Sequence, residues 1–370
     1  MSMTPWHAAL FLENGHLFEG LGYGAKVGRG GEAVFNTGMT GYQEIYTDPS
    51  YAHQIVVMGS SHIGNTGINS QDVESMKLYL SGVVAREYTE VPSNWRSEQT
   101  LSDYLANSGV PLISDVDTRE ITQILRDEGA QRGIIFPASE AKGEKLIAFA
   151  KTLLEKVPSM EGLELVSQVS CEKPYQFESQ TASNEGTIVV YDFGVKLNIL
   201  RSLKLRNFNV QVVPSQFSAK EVLAYQPKAV LLSNGPGDPS QVKGVVDEIR
   251  QLIGRVPIMA ICMGHQLLAR AIGADTYKLK FGHHGINHPV KDCRTGKILI
   301  TSQNHGFAVR SEDLSRLGVK VTHVSENDQT VEGFCSEKDG YFSVQFHPES
   351  KPGPNDASSL FDQFIRGYLR

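Results

Sequence analysis

The sequence predicts an α/β protein: a C-terminal, mostly parallel sheet with helices on both faces, preceded by a mixed α/β N-terminal domain. Three observations carry this. From about residue 187, short apolar runs alternate with helix-patterned segments. The apolar runs there are continuous rather than alternating, as strands covered on both faces require. Before residue 150 the pattern differs, with short β-like runs separated by Gly, Asn, Asp and Pro.

In the N-terminal part the β-like runs include AALFLENG, EAVFNTG and HQIVVMG. Helices are expected near Ser102–Ser108 and Asp117–Glu128. Asp117, three residues before Glu120, suggests a capping box for the second. Residues 151–186 include EKPYQFESQTASNEG, which is polar, turn-rich and short of apolar periodicity. Its later part reads as a linker. The domains are therefore expected at 1–150 and 187–370. In the second, TIVVYDFG, NVQVVP, KAVLLSNG and PIMAIC read as strands. Lys196–Arg206, SAKEVLAYQ, QVKGVVDEIRQLIG and GHQLLARAIG read as the helices between them. After Tyr277 the chain turns β-rich and closes with a helix over Asp356–Leu369.

A chain of 370 residues exceeds one ordinary domain, in agreement with this division. Its net charge of −6 disfavours a nucleic-acid surface as the main business of the protein. No apolar run reaches the ~18 residues of a membrane span. The N-terminus shows no basic region followed by an apolar one, so a cytoplasmic location is expected. The four cysteines form no CxxC pair, which leaves zinc-ribbon and redox motifs without support.

One cysteine stands in a chemically suggestive frame. In PIMAICMGHQLLA a strand ends at Cys262 and a helix begins within two residues. Such a turn projects a nucleophile from the carboxyl edge of the sheet, where α/β ligands bind. The helix N-terminus favours a thiolate. Gly264 lets the turn close, and the Met263 N–H would point at an oxyanion. Ala260 stands where such turns often use Gly, a small departure. The plain alternative is a buried cysteine at a strand end.

In SVQFHPES, a strand delivers His347, with Glu349 two positions on. A thiol nucleophile needs a base, and the base needs an orienting acceptor. Cys262, His347 and Glu349 supply all three. In LLSNGPGDP, Gly235 and Gly237 flank Pro236, so the backbone can approach a ligand, and the Gly237 N–H is a candidate second oxyanion donor. A simple Gly-Pro turn is the competing reading. The polar cluster TSQNHGFAV could grip an amino acid's α-amino and carboxylate groups. In FGHHGINHPV, His283, His284 and His288 lie close in sequence, but no carboxylate or cysteine completes a metal site, and a turn with hydrogen-bonding histidines is expected.

CMGHQ, with FHPE downstream and NGPGDP upstream, resembles the class I, triad-type glutamine amidotransferase domain over about residues 187–370. FNTGMTGYQEIYTDPSYAHQIV and SHIGNTGIN are similar to the N-terminal domain of carbamoyl-phosphate synthetase small subunits. YDFGVKLNILR and KFGHHGINHPVKD extend that resemblance through the second half. The resemblance implies that Cys262 attacks the glutamine side-chain amide, forms a γ-glutamyl thioester and releases ammonia. His347 would be base and acid, oriented by Glu349. Glutamine contacts would come from Ser50, Gly235, Gly237, Met263, Gln266, Asn304, Gly306 and Phe307. At Met263 leucine is common in the family, but the implied contact is through the backbone.

The chain has no GxxxxGK[ST] sequence and no further large domain to bind ATP. The resemblance therefore implies a large partner subunit carrying ATP and Mg, with no cofactor in this chain and ammonia channelled between the two. Glutaminase subunits for anthranilate, aminodeoxychorismate or guanylate synthesis are one alternative. The long N-terminal segment argues against them. A cysteine peptidase on the same fold, or a non-catalytic interaction subunit, are the others.

Overall fold

The computed structural model describes residues 4–138, 142–178 and 185–369, and these fall into two units. The first comprises residues 1–163 with Lys280–His284, and the second Glu164–Leu279 with Gly285–Arg370.

The first unit is built on β1 (Trp6–Leu12), β2 (Leu17–Gly24), β3 (Arg29–Asn36), β4 (Gln54–Met58), β5 (His62–Ile63), β6 (Gly82–Val84), β7 (Glu87–Tyr88), β8 (Pro111–Ser114) and β9 (Gln131–Pro137). Seven of them close into a barrel in the order β1-β2-β8-β6-β4-β3-β9. Strands β5 and β7 pair separately. The strand period of two sends alternate side chains to different cores. Ala8, Leu10 and Leu12 join one cluster, Ala9 and Phe11 another. Helices α3 (Thr118–Glu128) and α4 (Glu144–Leu154) cover these faces, whereas α1 (Tyr42–Thr47) and α2 (Leu101–Asn107) pack in a third cluster with Val56, Val83 and Leu112. Ile121 and Leu125 of α3 complete the first cluster, and Leu146, Ala150 and Leu154 of α4 the second. Asp117 caps α3, accepting from the N–H groups of Arg119 and Glu120.

The second unit carries a ten-stranded sheet. Its strands are β10 (Tyr175–Phe177), β11 (Thr187–Asp192), β12 (Asn209–Pro214), β13 (Ala229–Leu232), β14 (Ile258–Ile261), β15 (Thr276–Asp292), β16 (Ile298–Val309), β17 (Lys320–Ser325), β18 (Val331–Ser336) and β19 (Tyr341–Val344). They run in the order β10-β12-β11-β13-β14-β19-β18-β17-β15-β16. The run β12-β11-β13-β14-β19 is parallel throughout. The helices are α5 (Val166–Val169), α6 (Leu197–Lys204), α7 (Ala219–Ala224), α8 (Val245–Leu252), α9 (Met263–Ala271), α10 (Ser311–Arg316) and α11 (Ser359–Tyr368). Two cores sandwich the sheet. Val189, Tyr191, Ile258 and Ala260 pack with α7, α8 and α9, whereas Ile188, Val190, Met259 and Ile261 pack with α6 and α11. Double coverage is why these strands lack polar alternation.

Three expectations are corrected. The stretch 151–186 holds the end of α4, α5 and, in the later part read as a linker, the edge strand β10, which pairs antiparallel with β12; residues 179–184 of that part lie outside the described residues. FGHHGINHPV is not a turn but part of the 17-residue β15. The complete capping box lies at Ser218 and Glu221 on α7. No helix among the described residues is long and apolar enough to cross a membrane.

Candidate active site

Cys262 sits between β14 and α9 with φ 54° and ψ −106°, a conformation few non-glycine residues adopt. The surroundings impose it. The Cys262 N–H donates to Val344 O at 3.0 Å, and Gly264 N–H to Ser233 O at 2.9 Å. A Cβ on Gly264 would fall 2.2 Å from Leu232 O, so the helix start can approach β13 only without a side chain. Met263 opens α9, leaving its N–H without an intrahelical acceptor. The Cys262 sulfur is buried, 3.5 Å from Asn304 O.

His347 lies three residues beyond the end of β19, not on the strand itself. An isolated bridge to β16 holds it, through His347 N–H to Ser302 O at 2.9 Å. Its Nδ1 lies 2.6 Å from Glu349 Oε1. Nε2 is buried and closes no hydrogen bond in the resting geometry. The Cys262 thiol is still near enough to favour its protonated form. Burial alone would push the His347 pKa down, and Lys196 acts the same way. The Glu349 carboxylate outweighs both and holds the imidazole well above its ordinary range. Burial would likewise raise Glu349, but Lys196 and His347 hold it well below the usual carboxylate range.

Lys196 was not singled out in the sequence. Its Nζ lies 3.0 Å from Glu349 Oε1, and it donates to Ser350 O at 2.6 Å. Both side chains of the ion pair are buried. The Asn198 side-chain amide donates to Glu349 O. Asp192 shapes the loop that presents Lys196. Its Oδ1 accepts from Gly194 N–H at 3.0 Å and Val195 N–H at 2.8 Å. Asn234 Oδ1 accepts from Lys196 N–H at 3.0 Å. That bond ties the loop to the NGPGDP segment. A Cβ on Gly235 would lie 2.1 Å from Phe193 O, so only glycine permits this approach. Gly237 has φ 89°, also a glycine conformation.

Strand β16 supplies the other wall. Asn304 presents its carbonyl to Cys262, Gly306 is half-buried, and the Phe307 ring lies 5.1 Å from Lys278 Nζ. Gln266 on α9 donates through Nε2 to Phe307 O at 2.9 Å and to Gln345 Oε1 at 3.0 Å. Its N–H groups are thus spent inside the protein, and its Oε1 is the atom left for a ligand's donors. Ser50 lies in the first unit, buried on the turn Pro49–Tyr51, where its N–H donates to Asp48 Oδ1 at 2.8 Å.

A buried thiol against an imidazole held by a carboxylate, beside a glycine-rich loop, is the equipment for acyl transfer. Residues 189–366 match the family described as Glutamine amidotransferase class-I. Residues 10–135 match Carbamoyl-phosphate synthase small chain, CPSase domain. A carbamoyl phosphate synthase small chain from Syntrophotalea carbinolica is 47% identical over 368 residues, covering 96% of either chain. This chain belongs to the carbamoyl phosphate synthase small-chain family. A family member from Thioalkalivibrio sulfidiphilus is 47% identical, covering 99% of this chain and 97% of its own. A chloroplastic member from Oryza sativa is 44% identical, covering 98% of this chain and 82% of its own.

Proposed function

We propose that this small chain is a glutaminase in which Cys262 is the nucleophile, His347 the general acid and base, and Glu349 the group that orients and charges His347. The observation that carries the reading is the connected array from the strained Cys262 turn through His347 and Glu349 to Lys196. The Cys262 sulfur attacks the side-chain amide carbon of glutamine, and the thiol proton resides on His347. The N–H groups of Met263 and Gly237 receive the oxyanion. His347 passes the proton to the departing nitrogen, so ammonia leaves and a γ-glutamyl thioester remains. Water then attacks the thioester. His347 takes its proton and returns it to sulfur, giving glutamate and a free thiol.

Gly235, Gln266, Asn304, Gly306 and Phe307 would hold the glutamine. The ammonia passes to a large partner subunit, which carries ATP and Mg and makes carbamoyl phosphate from bicarbonate. This chain itself holds no cofactor. The small-chain names of the relatives and the lack of a GxxxxGK[ST] sequence support that division. A cytoplasmic location fits the sequence.

The deciding experiment is Cys262→Ser, assayed in the assembled enzyme with glutamine and separately with ammonia. Glutamine-dependent synthesis should fall by roughly three orders of magnitude or more, while ammonia-dependent synthesis stays intact. Glutamine hydrolysis near the wild-type rate would remove Cys262 from this role.

A further inference from the structure

Donor and acceptor accounting fixes the charge of a buried histidine behind the β16 wall. His305 Nδ1 faces Phe307 O at 2.7 Å, and a carbonyl only accepts, so Nδ1 carries a proton. His305 Nε2 faces Gln303 Oε1 at 2.9 Å. That assignment depends on which way the Gln303 amide points. Two contacts decide it. Gln303 Nε2 lies 2.9 Å from Glu332 Oε2 and 3.3 Å from Thr301 Oγ1. The Thr301 hydroxyl already donates to His288 O at 2.9 Å, so toward Gln303 it accepts. Turning the amide over would set its oxygen against both acceptors. The nitrogen therefore faces Thr301 and Glu332, the oxygen faces His305, and His305 Nε2 carries a proton as well.

His305 is then an imidazolium. A buried cation needs a buried partner. Glu332 Oε1 lies 3.9 Å from His305 Nε2, and both side chains are almost wholly buried. The Phe307 carbonyl that His305 grips also accepts from Gln266. His305 also follows directly on Asn304, whose carbonyl oxygen faces the Cys262 sulfur at 3.5 Å.

We propose that Glu332 is a positioning residue: it keeps His305 doubly protonated, and through His305 it sets the geometry of the 304–307 segment for glutamine. The last clause rests on the reading of that segment as a glutamine contact, whereas the protonation state does not. Two readouts keep them apart. Neutron diffraction from perdeuterated crystals of the full chain should show deuterium on both His305 nitrogens. In Glu332→Gln one of them should be lost. Steady-state glutaminase assays should show KM for glutamine raised about tenfold in Glu332→Gln, the size of one lost charge-assisted hydrogen bond, with kcat within about twofold. The double variant Glu332→Gln with Gln303→Glu returns one carboxylate to the cluster and should recover most of the KM. It also serves if the single variant fails to fold. A single deuterium on His305 in the wild type overturns the charge assignment. Two deuterons with an unchanged KM in Glu332→Gln, or a swap that folds without recovering KM, overturn the positioning role.

Discussion

Lys196 Nζ and Glu349 Oε1 stand 3.0 Å apart with both side chains buried, so Glu349 serves two cations at once. One carboxylate oxygen is shared between an ammonium and an imidazolium. Lys196 therefore limits how strongly Glu349 can hold the His347 proton, since it draws the His347 pKa down.

Removing that limit has a defined direction. In Lys196→Met, Glu349 is left to His347 alone, and the imidazolium is held more tightly. A base that will not release its proton slows both halves of the cycle. We expect kcat for glutamine hydrolysis to fall by roughly ten- to a hundredfold, with ammonia-dependent synthesis in the assembled enzyme unchanged. An unaltered kcat in a folded Lys196→Met protein would show that Lys196 is merely structural.

Glu349→Gln should act in the opposite sense on His347. Burial then dominates, and the imidazole should be neutral at pH 7. Histidine ring NMR should show no His347 titration between pH 5.5 and 8 in the wild type, and neutral His347 across most of that range in the variant. Stability follows by linkage. The raised His347 pKa contributes stability that is complete below its unfolded value of about 6.5 and is lost as pH rises through its folded value of about 10. The lowered Glu349 pKa contributes stability above 4.5 that is lost as pH falls through about 2. The wild-type Tm advantage over Glu349→Gln should therefore peak between pH 4.5 and 6.5 and shrink on both sides.

The parallel sheet and the catalytic candidates were legible because local rules and tertiary context agree there. Continuous apolar strands can satisfy only a doubly covered sheet, and CMGHQ carries its own turn chemistry. FGHHGINHPV was misread because its His, Asn and Gly content suggests a turn, while pairing with β17 decides for strand at its end. Tyr175–Phe177 was hidden by polar neighbours, and only β12 makes it a strand. Lys196 gave no signal. A lysine before a helix reads as a solvated cation until the fold brings residue 349 to it. The charge relation of His305 and Glu332 likewise exists only once β16 and β18 share a sheet.

The close approach at Gly264 gives a steric prediction. An added Cβ would lie 2.2 Å from Leu232 O, which is backbone and cannot swing aside. In Gly264→Ala the start of α9 must move, carrying Cys262 and the Met263 N–H with it. A displacement near 1 Å at a reacting centre costs about a hundredfold in rate. We expect kcat to fall by about that factor, with a lower Tm. Activity within twofold of wild type would mean that the Cys262 turn tolerates a shift this geometry does not allow.

The last prediction concerns which thiol reacts. All four cysteines are free. Burial, with Asp192 adding to it, pushes the Cys171 thiol up to about 12. Burial also raises Cys293, helped by Asp292, and it raises Cys335. These three stay protonated near neutral pH and are poor nucleophiles. Cys262 lies beside His347 at the N-terminus of α9. Cys293 is the decisive competitor, because it is solvent-exposed whereas Cys262 is buried. If access governed, a small alkylating agent would take Cys293 first. If electrostatics govern, a substoichiometric dose of iodoacetamide at pH 7.5 should label Cys262 first. Saturating glutamine should protect it by forming the thioester. Peptide mass spectrometry after brief exposure separates the two, and early label on Cys293 with Cys262 untouched would show that His347 does not activate the Cys262 sulfur in the resting protein.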